Sequence, residues 1–273
     1  MQGGNVIGAE LSAKSSSRIL PQRGIRIRKK VRHAAGIAAD LVFPRRCPVC
    51  DEPVRPFGAL ICDSCGEKLA QKALSPKRDA LCCRCGKPVY GNRELCRDCE
   101  KRARLFTKGC AVYRYRDVSG MLYRLKYEGR AEYADFLGAK MAERLREEWN
   151  PAQVDVLAPV PVSRERLWKR GYNQAELLAK TIAEETGISL REDLLIRQNQ
   201  TAALRNMSAQ ERRRNLKNAF IVSDIDVESK RIMLVDDIFT TGATIDACAR
   251  QLLRAGAAEV MFLAAAIGED SGV

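Results

Sequence analysis

Residues 231–244 read Arg-Ile-Met-Leu-Val-Asp-Asp-Ile-Phe-Thr-Thr-Gly-Ala-Thr, and their order decides the fold. The short apolar run Ile232 to Val235 has the composition of a strand buried on both faces of a parallel sheet. Asp236 and Asp237 follow where that strand would end, and Ile245 to Leu253 then take up helical spacing. The loop between them can aim backbone N–H groups and the hydroxyls of Thr240, Thr241 and Thr244 at an anion on the next helix N-terminus. Open α/β sheets hold ligands at the carboxyl ends of their strands. Adjacent carboxylates above a phosphate cradle suit a sugar phosphate, acids to hydroxyls and loop to phosphate. A plain capped strand–turn–helix uses the same residue types, since Asp and Thr are common caps.

Outward from this stretch the pattern is α/β. Ala111 to Tyr115 reads as a strand and Val118 to Tyr127 as a helix stopped at Glu128-Gly129. Ala134 to Trp149 is an amphipathic helix with Phe136, Leu137, Met141 and Leu145 on one face. Val154 to Ala158 is a buried strand closed by Pro159-Val-Pro161. A basic loop, Ser163 to Tyr172, and a helix from Asn173 to Glu185 follow. Further strands are expected at 192–196, 218–222, 232–235 and 259–266. Strands alternating with helices argue for a mostly parallel sheet.

Residues 232–244 resemble the phosphoribosyl pyrophosphate (PRPP) signature of type I phosphoribosyltransferases. The resemblance implies that Asp236 and Asp237 hold the ribose hydroxyls. Thr240, Thr241, Gly242, Ala243 and Thr244 would then hold the 5-phosphate. Segment 159–179 is similar to the pyrophosphate-side motif of the ComF (competence protein F, GntX-like) family, and Lys126-Tyr127-x-Gly129 matches another of its motifs. Arg197, Thr201, Glu211, Arg212, Asn215, Ala219 and Phe220 fall on a third. Leu204 stands where that family commonly has Gln, and Phe239 where the signature usually has a small aliphatic residue. The resemblance spans about residues 41–266 and implies a fold of the type I phosphoribosyltransferase kind. It assigns pyrophosphate to Val162, Ser163, Arg164, Arg170, Gly171, Asn173 and Gln174, with Mg²⁺ accompanying PRPP. Lys126, Arg164 and Arg170 are the candidates for stabilising charge as pyrophosphate departs. Read without the family, Asn173 is a helix cap, Lys126 an end-of-helix cation and Arg212 to Arg214 a solvated face.

Upstream, cysteines recur as Cys47-x-x-Cys50, Cys62-x-x-Cys65, Cys82-Cys83-x-Cys85 and Cys96-x-x-Cys99. Four such knuckles supply eight thiolates, enough for two structural Zn²⁺ ions in Cys₄ sites. The intervals suggest sequential pairing, first pair with second and third with fourth. Cross-braced pairing, iron–sulfur ligation and redox dithiols stay open at this level, as does the role of Cys83. Cys110 and Cys248 read as buried apolar residues. Concentration of the cysteines in one segment favours a reducing compartment, so a cytoplasmic location is expected.

The net charge of +13 is unevenly spread. Residues 1–46 carry 10 Lys/Arg against 2 acids, and residues 111–273 carry 24 of each. Residues 47–110 carry 13 against 8, and eight thiolates on two Zn²⁺ ions would bring that excess to about +1, so nearly all of the charge belongs to the tail. Residues 1–40 read as a basic, largely disordered tail, 41–108 as a double zinc ribbon and 109–268 as the phosphoribosyltransferase-like domain. The cluster Arg23 to Arg32 could touch nucleic acid or acidic lipid, or be a solvated leader. Ala34 to Phe43, broken by Asp40, is too short for a secretory signal, and no apolar run reaches membrane-span length. His33 is the only histidine, so no histidine-based catalysis is expected. Two functional classes remain. One is a Mg²⁺-dependent enzyme transferring phosphoribosyl from PRPP with release of pyrophosphate. The other is a non-catalytic PRPP sensor or DNA-uptake protein contacting single-stranded DNA or a helicase-like partner through ribbon and tail. Oligomeric state and acceptor are not legible.

Overall fold

The computed structural model describes residues 44–55, 58–198, 219–223 and 226–269. The tail with His33, and Thr201, Leu204, Glu211 to Arg214 and Asn215, lie outside them. From Arg45 onward the described residues belong to one compact unit. Five strands, β1 (Gly109–Arg114), β2 (Val156–Pro159), β3 (Ser189–Leu190), β6 (Arg231–Phe239) and β7 (Glu259–Ile267), form a sheet ordered β1-β7-β6-β2-β3. Every pairing in it is parallel. The strands expected at 192–196 and 218–222 become β4 (Leu195–Arg197) and β5 (Phe220–Val222), which pair antiparallel with each other in a separate two-stranded sheet.

Two layers cover the sheet, because alternate residues of the apolar strands face opposite ways. Met233 and Val235 of β6 share a core with helices α3 (Tyr115–Tyr127), α4 (Tyr133–Glu148) and α6 (Gln174–Thr186). Gly138 of α4 lets α6 approach closely, since a Cβ there would lie 2.5 Å from Thr181 Cβ. Ile232 and Leu234 face the other way, into a core shared with α7 (Ala243–Arg254) and the second cysteine segment. Each fully buried Leu, Ile or Phe in these layers contributes about 1.5–3 kcal/mol.

The cysteine segment carries α1 (Asp63–Ala70) and α2 (Arg97–Lys101) and packs on the sheet edge. Leu74 N–H donates to Val112 O at 2.8 Å, and Ala73 bridges Tyr113. These contacts occupy backbone groups of β1 that an edge strand would otherwise expose.

Two local expectations are corrected. The strand expected at 232–235 runs on to Phe239, because Ile238 and Phe239 stay in register with Ala266 and Ile267 of the apolar β7. Asp236 and Asp237 therefore stand within a strand and not after it. The basic loop at 163–172 is instead helical, as α5 (Arg164–Arg170). Ser163 Oγ accepts from Arg166 N–H at 3.4 Å, Lys169 pairs with Glu165 at 2.8 Å, and Gly171 closes the helix in the left-handed region.

Candidate functional site

The chain from β2 crosses by α6 to β3 on one side of the sheet, whereas β6 crosses by α7 to β7 on the other. The carboxyl ends of β2 and β6 therefore flank a topological switch point, where α/β sheets open a crevice. A cavity of about 320 Å³ lies there. Its lining includes Lys126, Val162, Arg166, Arg170, Asn173, Gln174, Arg197, Asp236, Asp237, Thr240 and Thr244.

Four cations, Lys126, Arg166, Arg170 and Arg197, face two acids. Lys126 Nζ stands 2.6 Å from Asp237 Oδ2. The approach is ionic without being a directed hydrogen bond, and Asp237 Oδ2 is closed to solvent with no aligned donor. Asp237 N–H donates to Asp236 Oδ1 at 2.8 Å. Burial, and then the charge of Asp237, hold the pKa of Asp236 well above the ordinary aspartate value. Arg197 lies over the Phe220 ring at 5.4 Å, and burial followed by the charge of Arg166 lowers its pKa. Neither Arg166 nor Arg197 has an acid within ion-pair distance among the described residues. Like charges held together without counter-ions are what a polyanion site provides.

Arg170 is fixed in advance. Its Nη1 donates to Gln174 Oε1 at 2.8 Å and its guanidinium lies 5.0 Å from the Tyr127 ring centre. Tyr172 hydroxyl donates to Leu125 O at 2.6 Å and ties this turn to α3. Gln174 is buried, and its Nε2 has no partner among the described residues. That orphaned donor on the cavity wall fits an oxygen-rich ligand.

The phosphate-loop residues separate. Thr240 and Thr244 line the cavity, whereas Thr241, Gly242 and Ala243 form the turn behind it. Gly242, at φ 78°, caps α7, whose first turn leaves amides without intrahelical acceptors. Arg164, Ser163 and Gly171 do not line the cavity; Arg166 takes the place expected of Arg164. Positions 166 and 170 share a helix face, a relation hidden while the segment was read as a loop. Asn173 caps α6, accepting from Ala175 N–H at 3.1 Å and donating to Val160 O at 3.2 Å, so both ends of its side chain are occupied. Arg197 was legible only through the family motif, and Arg104, which touches the loop from behind, carried no signal at all.

The cysteines gather as Cys47, Cys50, Cys62, Cys65 and as Cys82, Cys85, Cys96, Cys99, with the sulfurs of each group within 4.8 Å of one another. Pairing is thus sequential. Cys83 is exposed and outside both groups. Separations of 3.6 Å (Cys62–Cys47), 3.9 Å (Cys50–Cys62) and 3.6 Å (Cys85–Cys96) are far too long for disulfides. They suit a tetrahedron with Zn–S near 2.3 Å, whose edges are about 3.8 Å. The electrostatics agree. Thiols of Cys85, Cys96 and Cys99 donating to Cys82 drive its pKa far down, while Cys85 and Cys99 are pushed up, first by Cys82. In the other group, hydrogen bonds from Cys65 overcome burial to bring Cys62 to about 7, and burial helps lift Cys65 to about 12. Cys96 is lowered as well, Cys82 opposing but hydrogen bonds from Cys85 and Cys99 prevailing; sulfurs this close cannot all ionise unaided, so four thiolates need a cation among them.

Residues 38–100 match the family model described as a double zinc ribbon domain. The chain is 30% identical over 224 residues to DNA utilization protein YhgH of Salmonella typhimurium, covering 81% of this chain and 96% of that protein. It is 31% identical over 205 residues to competence protein ComFC of Bacillus subtilis, covering 72% and 80%. Competence protein F of Haemophilus influenzae is 28% identical over 206 residues, covering 73% and 87%. Among solved structures, a purine phosphoribosyltransferase from Pyrococcus horikoshii overlaps 49% of this chain and 71% of its own, at 21% identity and TM-score 0.30, too loose an overlap to argue from. No helix of the described residues is long and apolar enough to cross a membrane.

Proposed function

The chain belongs to the ComF family of competence and DNA-utilization proteins, and on that premise we propose that its switch-point cavity binds PRPP. The observation that carries this reading is the composition of one cavity. A carboxylate pair stands beside two threonines of a helix-capping loop, faced by four cations of which, among the described residues, only Lys126 is paired with an acid. Asp236 and Asp237 take the ribose hydroxyls, and Thr240 and Thr244, with the amides of the 241–243 turn, take the 5-phosphate. Arg166 and Arg170 project from α5 toward the pyrophosphate, with Val162, Asn173 and Gln174 on that wall, while Ser163, Arg164 and Gly171 serve only to start and close α5 behind it. Arg197 adds a further cation. Two carboxylates beside a polyphosphate pocket are also the oxygen donors a Mg²⁺ ion prefers, and bound there it would neutralise phosphate charge.

Transfer of phosphoribosyl with release of pyrophosphate is the reaction this arrangement suits. With both cavity carboxylates assigned to the ribose hydroxyls, rate enhancement rests on positioning and on cations meeting the departing charge. The ribbon over 41–108 and the phosphoribosyltransferase-like body over 109–268 act as one cytoplasmic protein of DNA utilization. Single-stranded DNA or a helicase-like protein is the partner proposed for the ribbon and tail.

Calorimetry with PRPP and Mg²⁺, on wild type and on the Asp236→Asn/Asp237→Asn variant, tests the site. Wild-type binding that the variant loses is expected, and equal affinity in both would remove the assignment. Pyrophosphate release from PRPP offered with free bases or single-stranded DNA then separates enzyme from sensor.

A further inference from the structure

One side chain joins the second cysteine cluster to the phosphate loop. Arg104 follows the last knuckle, lies 7% exposed, and runs behind the 240–244 turn. Its Nη1 donates to Thr241 O at 2.9 Å and to Asp246 Oδ2 at 2.9 Å. Leu105 N–H holds the other oxygen, Asp246 Oδ1, at 3.1 Å. Nε and Nη2 of Arg104 are buried without a regular hydrogen bond among the described residues. The Cys99 sulfur is near enough to act on the guanidinium electrostatically, second to Asp246 in keeping it charged against burial. The fit is tight on the loop side, where a Cβ on Gly242 would stand 2.8 Å from Arg104 Nη1. Phe106, two residues on, packs edge-to-face on Phe262 at 4.9 Å and on Phe239 at 6.0 Å.

Three consequences follow from this geometry. Thr241 O is anchored, which fixes the peptide preceding Gly242 and thereby the aim of the loop amides. Asp246, an acid in the first turn of the helix that would meet a phosphate, is neutralised and held toward the ribbon. The chain runs from the Cys99 knuckle directly into Arg104 and Leu105, so whatever orders the knuckle also seats the groups that hold Asp246 and Thr241. A metal ion held by four sulfurs clamps that knuckle, and loss of the metal unclamps the segment from which Arg104 and Leu105 reach the loop.

We propose that Arg104 is a positioning residue through which metal in the Cys82/Cys85/Cys96/Cys99 cluster sets the anion affinity of the phosphate loop. The proposal rests on the reading of the cavity as a PRPP site. Metal in the Cys47/Cys50/Cys62/Cys65 cluster, which has no such contact among the described residues, does not share the coupling. Coupling of this kind is reciprocal: if metal strengthens PRPP binding, PRPP must strengthen metal binding by the same factor.

The test is zinc release from the full zinc-loaded chain to a colorimetric chelator, with and without saturating PRPP and Mg²⁺. PRPP affinity is measured separately by calorimetry. A Cys50→Ser/Cys62→Ser variant, which keeps only the second cluster intact, assigns its share of the release. PRPP is expected to retard release from the second cluster about five-fold or more and to leave the first unchanged. Arg104→Lys keeps a cation for Asp246 but lacks the planar guanidinium that reaches Thr241 O and Asp246 together. It is expected to hold both zinc ions yet lose most of the retardation and bind PRPP more weakly. PRPP that binds wild type without slowing either release would overturn the coupling, as would full retardation in Arg104→Lys. Failure of wild type to bind PRPP at all would overturn the cavity reading first and the coupling with it.

Discussion

Gly242→Ala probes the loop, the cation behind it and the aromatic stack together. Gly242 sits at φ 78°, and an added Cβ would stand 2.8 Å from Arg104 Nη1 and 2.9 Å from Phe239 Cζ. Neither neighbour moves cheaply. Arg104 is held by Thr241 and Asp246, and the Phe239 ring is stacked on Phe262 at 4.3 Å between centroids. The matched control is Gly187, the C-cap of α6 at φ 77°, where an added Cβ meets nothing within 4 Å. Gly187→Ala therefore incurs only the left-handed backbone cost of about 1–2 kcal/mol. Gly242→Ala incurs the same cost plus overpacking of about 1–3 kcal/mol. For a chain of this size each kcal/mol lowers Tm by roughly 2–4 °C, so Gly242→Ala should melt several degrees below Gly187→Ala. Thermal unfolding of both zinc-loaded variants reads the difference, and calorimetry with PRPP reports whether the loop still binds. Equal Tm losses would refute the claim that Arg104 and Phe239 crowd the loop. A loss confined to PRPP affinity would mean that the loop, not its surroundings, gives way.

Three other outcomes follow from the site. Because burial and Asp237 raise the pKa of Asp236, its ionisation costs folding free energy as pH rises through that raised value. Below about pH 4 the group is protonated folded or unfolded and the cost vanishes. Asp236→Asn should thus melt higher than wild type at neutral pH, the gap closing on acidification, while PRPP binding is lost; a gap that widens in acid would contradict the assignment. Lys126→Met leaves Asp237 without its cation and should cost about 1–3 kcal/mol in denaturant unfolding. Adding Asp237→Asn should recover much of it, and additive losses would mean that the pair is not coupled. Metal analysis should find two zinc ions per chain in wild type and in Cys83→Ser, but one in Cys85→Ser; a zinc lost from Cys83→Ser would overturn the sequential clusters.

Local chemistry reached the sequence reader well wherever neighbours in the chain are also neighbours in space. A C-x-x-C knuckle is such a case, and so is the run from Ile232 to Thr244. Reading stopped short where pairing partners decide the outcome. Nothing within 231–239 says that the strand continues past the acids; β7, more than twenty residues on, supplies the apolar register that extends it. Phe239 looked like a tolerated departure from a motif, yet it is 1% exposed and forms part of an aromatic stack under the loop.

By itself the sequence determined that this is a parallel α/β protein with cysteine knuckles ahead of it, and that two acids and a run of threonines stand together near the end of one strand. Those features follow from hydrophobic period, backbone propensity and thiol spacing, all short-range. Tertiary structure alone decided which knuckles share a cluster and which arginines face the acids. It also decided that Arg104 from the ribbon supports a loop 137 positions away. Contacts at such separation depend on how layers pack and where the sheet changes crossing direction. A single chain's local pattern carries no record of either.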